Sequence, residues 1–447
     1  MHICVLIVDC LRADHLGCYG YHKNTSPNID SIAGQNILFK NAYAQSNWTA
    51  PSFNSMIAGK YPPTLMINWM DQKMNSDFVT LPEYLAQKGY HTGMFTPFKM
   101  LMNPNAFCSH FTEAKELRLD EKILPEFRDW IKKDKNSFLF FHTAEYVHEP
   151  YYADKKIVQM FLDKATSVPD NSEIIKTLTS KHTPKTSIMD ITRKINTHLK
   201  FPSKNEIKYL MACYDAGIYH VDNFVGDIHK TLQEESEDYL FMIIADHGQA
   251  FLEHNYIGHG KGLYNEVLQV PLIVDYNNSC SEIVPETVQL MDIFPTIMEL
   301  LEYEGDFKLD GQSFAPALKG HKLNNDRIAF ADGSPGICII KNNYKLLTTY
   351  LKYWDYKTYL KLVESNHGIR IRDRMGLFTQ FRREKLFDLQ KDRKETKNIS
   401  RQRKELQKQL RSEIKNILAD VLLEMRHPEK ASMDEDIKKQ LKALGYL

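Results

Sequence analysis

The sequence predicts an α/β/α sandwich, with a mainly parallel central sheet covered by helices on both faces and a smaller α+β subdomain at the C-terminus. Three observations carry this. Short β-branched, apolar runs alternate with stretches of helical spacing, the pattern of repeated βαβ units. The runs are apolar enough to be buried on both faces, as strands inside a parallel sheet are. Polar residues then gather where several runs stop, and in open α/β sheets the ligand crevice lies beyond the carboxyl ends of the strands.

Taken in order, "ICVLIVD" is a buried first strand, too short for a helix. "SPNIDSIAGQ" reads as a helix start, with Ser26 before Pro27 and a stop at Gly34. "TLPEYLAQKGY" has helical spacing and a glycine break before the strand "HTGMFTP". "FLFFHTAE" (138–145), "YLFMIIADHG" (239–248) and "VPLIVDY" (270–276) are further buried strands. Residues 152–207 are lysine-rich and weakly patterned, as in "KTLTSKHTPKTSIMDITRKINTHLK", and read as an inserted helical cap or lid over the crevice. From residue 325 the pattern changes to the short strands of "GICIIKNNYKLLTTY" and "EKLFDLQKDRKETKN", then a polar helix, so the expected units are 1–324 and 325–447.

A chain of 447 residues is too long for one simple core, which agrees with a large domain plus a smaller one. Lys+Arg and Asp+Glu balance at 57 each, so no global field favours nucleic acid or a membrane surface. The stretches 370–385 and 400–416 are basic, and read either as solvated helix faces or as a positive rim near an anionic substrate. No apolar run reaches the ~20 residues that span a bilayer. "MHICVLIVDC" lacks the basic lead of a secretory signal. Seven scattered cysteines without CxxC spacing are expected to be the reduced thiols of a cytoplasmic protein.

Asp9 ends the first strand, where a carboxylate holds a divalent cation or simply forms a turn. Asp246 and His247 end another strand, and Gly248 permits a sharp turn after them. Carboxylate plus imidazole is a common ligand set for zinc or manganese. His254, His259 and Lys261 crowd the loop that follows. His142, Glu145 and His148 lie at a third strand end; His148 is placed to bind substrate or act as a general acid, while His142 reads equally as a half-buried histidine. "SNWTAPSFNSMIAGKYP" (46–62) resembles the active-site entry of an enzyme that attacks a tetrahedral anionic ester, with Thr49 at its centre. Thr49 also suits the cap of a helix beginning near Pro51, and a helix N-terminus favours a bound anion. Lys60 closes this segment, as a substrate contact or a lysine snorkelling at a helix end.

Together these motifs resemble the sulfatase family of the alkaline phosphatase superfamily over nearly the whole chain. "VDCLRADHLGCYGY", "SPNIDSIA" and "FKNAYAQ" are similar to its N-terminal block, and "APSFNSMIAGKYP" to its nucleophile block. "YDAGIYHVDNFVGDI", "IIADHG", "GHGKGLYNEVLQVPLIV", "MDIFPTIMELL" and "DGQSFAPALKG" are similar to downstream blocks, and "KLFDLQKDRKETKNIS" and "LKALGYL" to the C-terminal subdomain. The resemblance implies a divalent metal (Mn, Zn or Ca) on Asp9, Asp246, His247 and Thr49. It puts Thr49 at the nucleophile position, with His148 and His259 as catalytic histidines. Lys60, Lys261, His254 and His142 are the expected substrate contacts.

Three positions depart from the family's pattern: Thr49 stands where cysteine or serine is oxidised to formylglycine, Phe53 where an arginine follows, and Cys10 where a second aspartate follows the first. No formylglycine is expected. Its hydrate expels sulfate with a second hydroxyl, which threonine lacks, whereas a phosphothreonine can be cleared by water or an acceptor alcohol. The expected substrate is therefore a phosphate mono- or diester on a small molecule, glycan or lipid headgroup. The alternatives are a sulfate ester cleaved without formylglycine, or a non-catalytic anion-binding protein.

Overall fold

The structure is a computed structural model that describes residues 1–67, 72–103, 107–119, 122–164, 166, 171–277, 281–305, 307–333, 336–349, 384–427 and 429–430. Residues 370–383 of the basic stretch 370–385 and the terminal "LKALGYL" lie outside the described residues. Nine strands form the main sheet: β1 His2–Val8, β2 Ile37–Tyr43, β3 His91–Thr96, β4 Glu113–Glu116, β5 Ser137–Thr143, β6 Tyr239–Ile244, β7 Gln269–Val270, β8 Leu272–Tyr276 and β9 Glu282–Gln289. From β2 the sheet runs through β8, β6, β1, β5 and β3 to β4, while β9 and β7 also pair with β2. All neighbours are parallel except around β7 and β8, which run antiparallel to β2, β8 being antiparallel to β6 as well. The sheet is thus mainly parallel, as the apolar runs predict.

β1 sits at the centre, and Ile3–Val8 are all buried there. Its register sets Val8 level with Thr143 of β5 and Ile7 level with Ile244 of β6. Asp9, Glu145 and Asp246 therefore leave the sheet at one edge. That shared edge is what turns three separate strand ends into one site.

Helices Pro27–Gln35 and Ile123–Lys133 pack against the 32-residue helix Lys204–Glu235, which begins with a reciprocal cap between Ser203 and Glu206. Helix Thr49–Ala58 packs with Leu81–Gln87 and Ile293–Leu300. One expectation needs correction: Gly34 does not stop its helix, which runs on to Gln35. The Ser26 hydroxyl does not cap it either; it donates to Asp30 Oδ1 (3.0 Å) and accepts from the Gly17 N–H (3.1 Å).

Within 152–207 lie three short helices, Lys155–Phe161, Glu173–Thr179 and Lys185–Asn196. The first two pack on the long helix, and the third touches the loop at Ile257. There the Asn196 amide donates to Ile257 O (3.0 Å) and accepts from Ile257 N–H (2.8 Å).

Strands Ile328–Gly333, Gly336–Lys341, Tyr344–Thr349 and Lys385–Asp388 form a second, antiparallel sheet. Its residues alternate between two faces, as strand geometry requires. Phe330, Ile337, Ile339, Leu346 and Leu386 meet the helix Lys404–Glu424 through Leu410, Ile414, Leu418 and Val421. Ala331, Cys338, Ile340, Leu347 and Phe387 face Tyr43, Tyr256, Tyr264 and Leu268 of the larger unit. No helix among the described residues is long and apolar enough to cross a membrane.

Candidate active site

Thr49 is the first residue of its helix, and Trp48 occupies the cap position without a side-chain cap bond. The Thr49 hydroxyl is free of capping and lies 3.2 Å from His247 Nε2. His247 donates Nδ1–H to its neighbour's carbonyl, Gly248 O (2.9 Å), which leaves the Nε2 lone pair facing Thr49. Asp246 Oδ2 and Asp9 Oδ1 lie 3.4 and 3.6 Å from the same nitrogen. Both carboxylate oxygens are buried with no hydrogen-bond partner.

This arrangement tests the fit of a cation directly. The His247 nitrogen is flanked by a hydroxyl oxygen and two buried carboxylate oxygens, all within 3.6 Å of it, and such groups repel unless a positive charge joins them. The residues fit a divalent ion. Burial and the charge of Asp9 together push the Asp246 carboxyl up. Burial works against Asp9 too, yet the hydrogen bond from His142 and the neighbouring histidines hold it well below the usual carboxylate range.

Beyond this cluster lie His148, Glu149 and His259. The rings of His148 and His259 meet edge-on with centroids 4.9 Å apart, and His259 lies 4.6 Å from the His247 ring. Gln249 organises this side: its Oε1 accepts from His259 Nδ1 (2.9 Å) and its Nε2 donates to Glu149 Oε2 (2.7 Å). Burial pushes the His259 imidazole down to about 3, so the ring is neutral at neutral pH. The Cys10 thiol lies 3.6 Å from His259 Nδ1 and 3.9 Å from His247 Nδ1. Burial and the charges of Asp9 and Glu149 hold it well above the usual thiol range.

A family model described as Sulfatase matches residues 2–303. The chain belongs to the sulfatase family. Among curated sulfatases, mouse (Mus musculus) iduronate 2-sulfatase is 40% identical over 95 residues, a match covering 21% of this chain and 17% of that protein. The first four relatives are matched over only 17–26% of their own lengths. A longer match joins it to the uncharacterized sulfatase YidJ of Escherichia coli K12, 20% identical over 76% of this chain and 77% of the relative. The fold is shared with the phosphonate monoester hydrolase of Agrobacterium radiobacter (TM-score 0.70, 16% identity, 94% of this chain and 96% of that one). It is shared equally with a 2-O GAG sulfatase (TM-score 0.70, 16% identity, 98% and 96%).

Measured against the sulfatase expectation, the structure brings Asp9, Thr49, Asp246, His247, His148 and His259 into one cleft. Lys261 lies half-buried two residues past His259, in a loop tied down by Gly260 N–H donating to Asn47 O (2.7 Å). Three expected substrate contacts are elsewhere. His142 is fully buried behind Asp9, its Nε2 3.4 Å from Asp9 Oδ2 and its Nδ1 2.8 Å from Thr96 Oγ1, so it holds the Asp9 carboxylate and has no exposed surface to offer a substrate. Lys60 sits beyond the far end of the Thr49 helix and pairs with Asp310 and Glu424. His254 stacks on Tyr264 (3.5 Å) and bonds Glu266 Oε1 (2.7 Å), a joint toward the smaller unit.

Phe53, where the resemblance implies an arginine, packs edge-on against His142 (5.2 Å) and beside Phe107 and Phe140. Sequence reasoning missed Glu149, Gln249 and Arg12. Arg12 ties the loop after β1 to Gln249 O (3.0 Å) and pairs with Asp14 and Glu253. Glu149 could have been found beside His148; Gln249 and Arg12 carry no sequence signal that separates them from ordinary polar loop residues.

Proposed function

We propose that this cleft hydrolyses or transfers a phosphate ester with Thr49 as the nucleophile. The observation that carries it is the Thr49 hydroxyl, uncapped, 3.2 Å from His247 Nε2 and beside two orphaned carboxylate oxygens. A divalent cation held by Asp9, Asp246, His247 and Thr49 would supply the charge that makes a threonine hydroxyl ionisable near neutral pH and draws in an anionic ester. Thr49 Oγ1 attacks phosphorus in line, the bond to the leaving oxygen breaks, and a phosphothreonine forms. Water or an acceptor alcohol then attacks that phosphorus and Thr49 is regenerated. His148 passes a proton to the leaving oxygen and takes one back from the attacking water, while the neutral His259 ring stands beside it on the ester side. Lys261 adds positive potential on the ester side.

Because residue 49 is a threonine, this reading needs no formylglycine. The substrate class is a phosphate ester on a small molecule, glycan or lipid headgroup. The six free cysteines among the described residues suit a cytoplasmic, reducing setting. A second reading, cleavage of a sulfate ester, is favoured by the names of the relatives, most of which are sulfatases.

The deciding experiment compares initial rates on 4-nitrophenyl phosphate, phosphate diester, phosphonate and sulfate, using metal-stripped protein reloaded with manganese, zinc or calcium. Metal-dependent turnover of a phosphorus ester that falls at least ~100-fold in Thr49→Ala, with label trapped on Thr49 in wild type, is expected. Sulfate turnover that survives Thr49→Ala would overturn the threonine reading.

A further inference from the structure

Four side chains beside the Thr49 cluster offer donors of a different kind: the thiol of Cys10, the imidazoles of His148 and His259, and the carboxylate of Glu149. One ligand atom of each lies within 4.8 Å of all the others. Donor atoms around a tetrahedral zinc, with bonds of about 2.0–2.3 Å, stand about 3.3–3.8 Å apart, so closing by roughly an ångström completes the shell. The four side chains already lie against one another: Cys10 Sγ is 3.6 Å from His259 Nδ1, and Glu149 Oε2 lies 3.7 and 3.8 Å from the Nδ1 atoms of His148 and His259.

We infer that Cys10, His148, Glu149 and His259 form a second cation site, with a sulfur ligand, next to the one on Asp9, Asp246 and His247. Three features support it besides proximity. The donors have outer partners of the kind that orient metal ligands. His148 Nδ1 bonds Glu149 O (2.7 Å), His259 Nδ1 bonds Gln249 Oε1 (2.9 Å), and Gln249 Nε2 holds Glu149 Oε2 (2.7 Å). With Nδ1–H engaged, each ring keeps its Nε2 lone pair for a ligand.

Cys10 is held in a left-handed backbone (φ 64°), where a residue with a Cβ is uncommon. Tyr214 fixes it there by donating to Cys10 O (2.7 Å) and accepting from Arg12 N–H (2.9 Å). That fixed backbone turns the thiol toward the histidines. Access is also provided, because His148, Glu149 and His259 are partly open while Cys10 closes the floor. Thiolate, imidazole and carboxylate select zinc or cobalt over magnesium or calcium. The inference shares the cleft of the proposed function but does not depend on Thr49 being the nucleophile; with the second ion bound, His148 and His259 are its ligands and water takes over the proton transfer assigned to His148 above.

The test loads the metal-free full chain with Co²⁺ and records metal per chain and the near-ultraviolet spectrum. Two equivalents and a thiolate-to-cobalt charge-transfer band are expected. Cys10→Ser should remove the band and one equivalent, Glu149→Gln should weaken the second equivalent about tenfold or more, and Thr49→Ala should keep the band while losing the phosphothreonine trap. If Cys10→Ser does not fold, loss of the band in His259→Ala serves instead. One equivalent without a band, or a band that persists in Cys10→Ser, overturns the second site and leaves the Thr49 reading to its own assay.

Discussion

His142 shows how much a residue's role depends on what stands in front of it. As a buried imidazole between Thr96 and Asp9 it orients a carboxylate whose other oxygen has no partner. Outer partners of this kind typically contribute 10–100-fold in metal affinity. His142→Ala is therefore expected to weaken manganese or zinc binding by about that factor while Thr49 and the fold stay in place. Metal titration of the variant, with circular dichroism as the folding check, measures this; unchanged affinity would remove His142 from the support of Asp9. At this scale the sequence was legible where a residue ends a buried strand, as Asp9, Asp246 and His247 do. It was not legible where a charge is cancelled by a distant partner. Lys60 meets Glu424, 364 residues along the chain, and nothing near "GKYP" announces that.

Two contacts made by the long helix Lys204–Glu235 govern how the site's loops are held. Gly217 passes so close to the turn before His148 that a Cβ there would lie 2.4 Å from the Tyr146 carbonyl oxygen. Alanine gains ~1 kcal/mol of helix propensity over glycine, but here the contact overrides it, and overpacking costs about 1–3 kcal/mol. Gly217→Ala should lower the melting temperature and depress turnover more than substrate-independent metal binding at Asp9; a more stable variant would contradict the packing argument.

Two residues earlier, Asp215 joins the helix to the loop after β1. It meets His15 Nδ1 (2.7 Å), the Tyr21 hydroxyl (2.9 Å) and Lys23 Nζ (3.0 Å). Burial opposes its charge, but the bonds from His15 and Lys23 prevail and hold its carboxyl below the ordinary value. A depressed folded value means the unfolded chain binds the proton first. The contribution is complete above about pH 4, the unfolded value, and is lost as pH falls through the folded one. Denaturant titrations across that acid range should show a steep loss of stability in wild type and a flatter profile in Asp215→Asn.

For the whole molecule, the contact between the second sheet and the Tyr264–Leu268 segment includes, beside its apolar cluster, a fully buried ion pair, Lys345 Nζ to Glu395 Oε1 at 2.8 Å. Both partners reach Asn265 of the larger unit: Lys345 donates to its Oδ1 (3.0 Å), and Glu395 accepts its backbone N–H (2.5 Å). Removing one member of such a pair strands a buried charge and costs about 3–5 kcal/mol, whereas replacing both with apolar residues is often near neutral. Glu395→Ala should thus destabilise far more than the double change Lys345→Met, Glu395→Leu, read from denaturation midpoints. Equal losses would mean the pair itself, not the stranded charge, stabilises the contact. The layered fold was legible because apolar runs and helical spacing alternate over most of the chain. This contact was not, since Lys345 and Glu395 look like ordinary members of polar, lysine-rich stretches. The antiparallel sense of β8 was equally hidden, because burial on both faces makes an apolar run in either direction.

The amide of Asn196, which bonds both backbone groups of Ile257, gives the helix Lys185–Asn196 a hydrogen-bonded seam with the loop that carries His259. For anyone exchanging residues 152–207 between relatives, position 196 is where the graft is to be matched: a donor segment that brings an amide there keeps both bonds to Ile257, and one that does not unties that part of the loop.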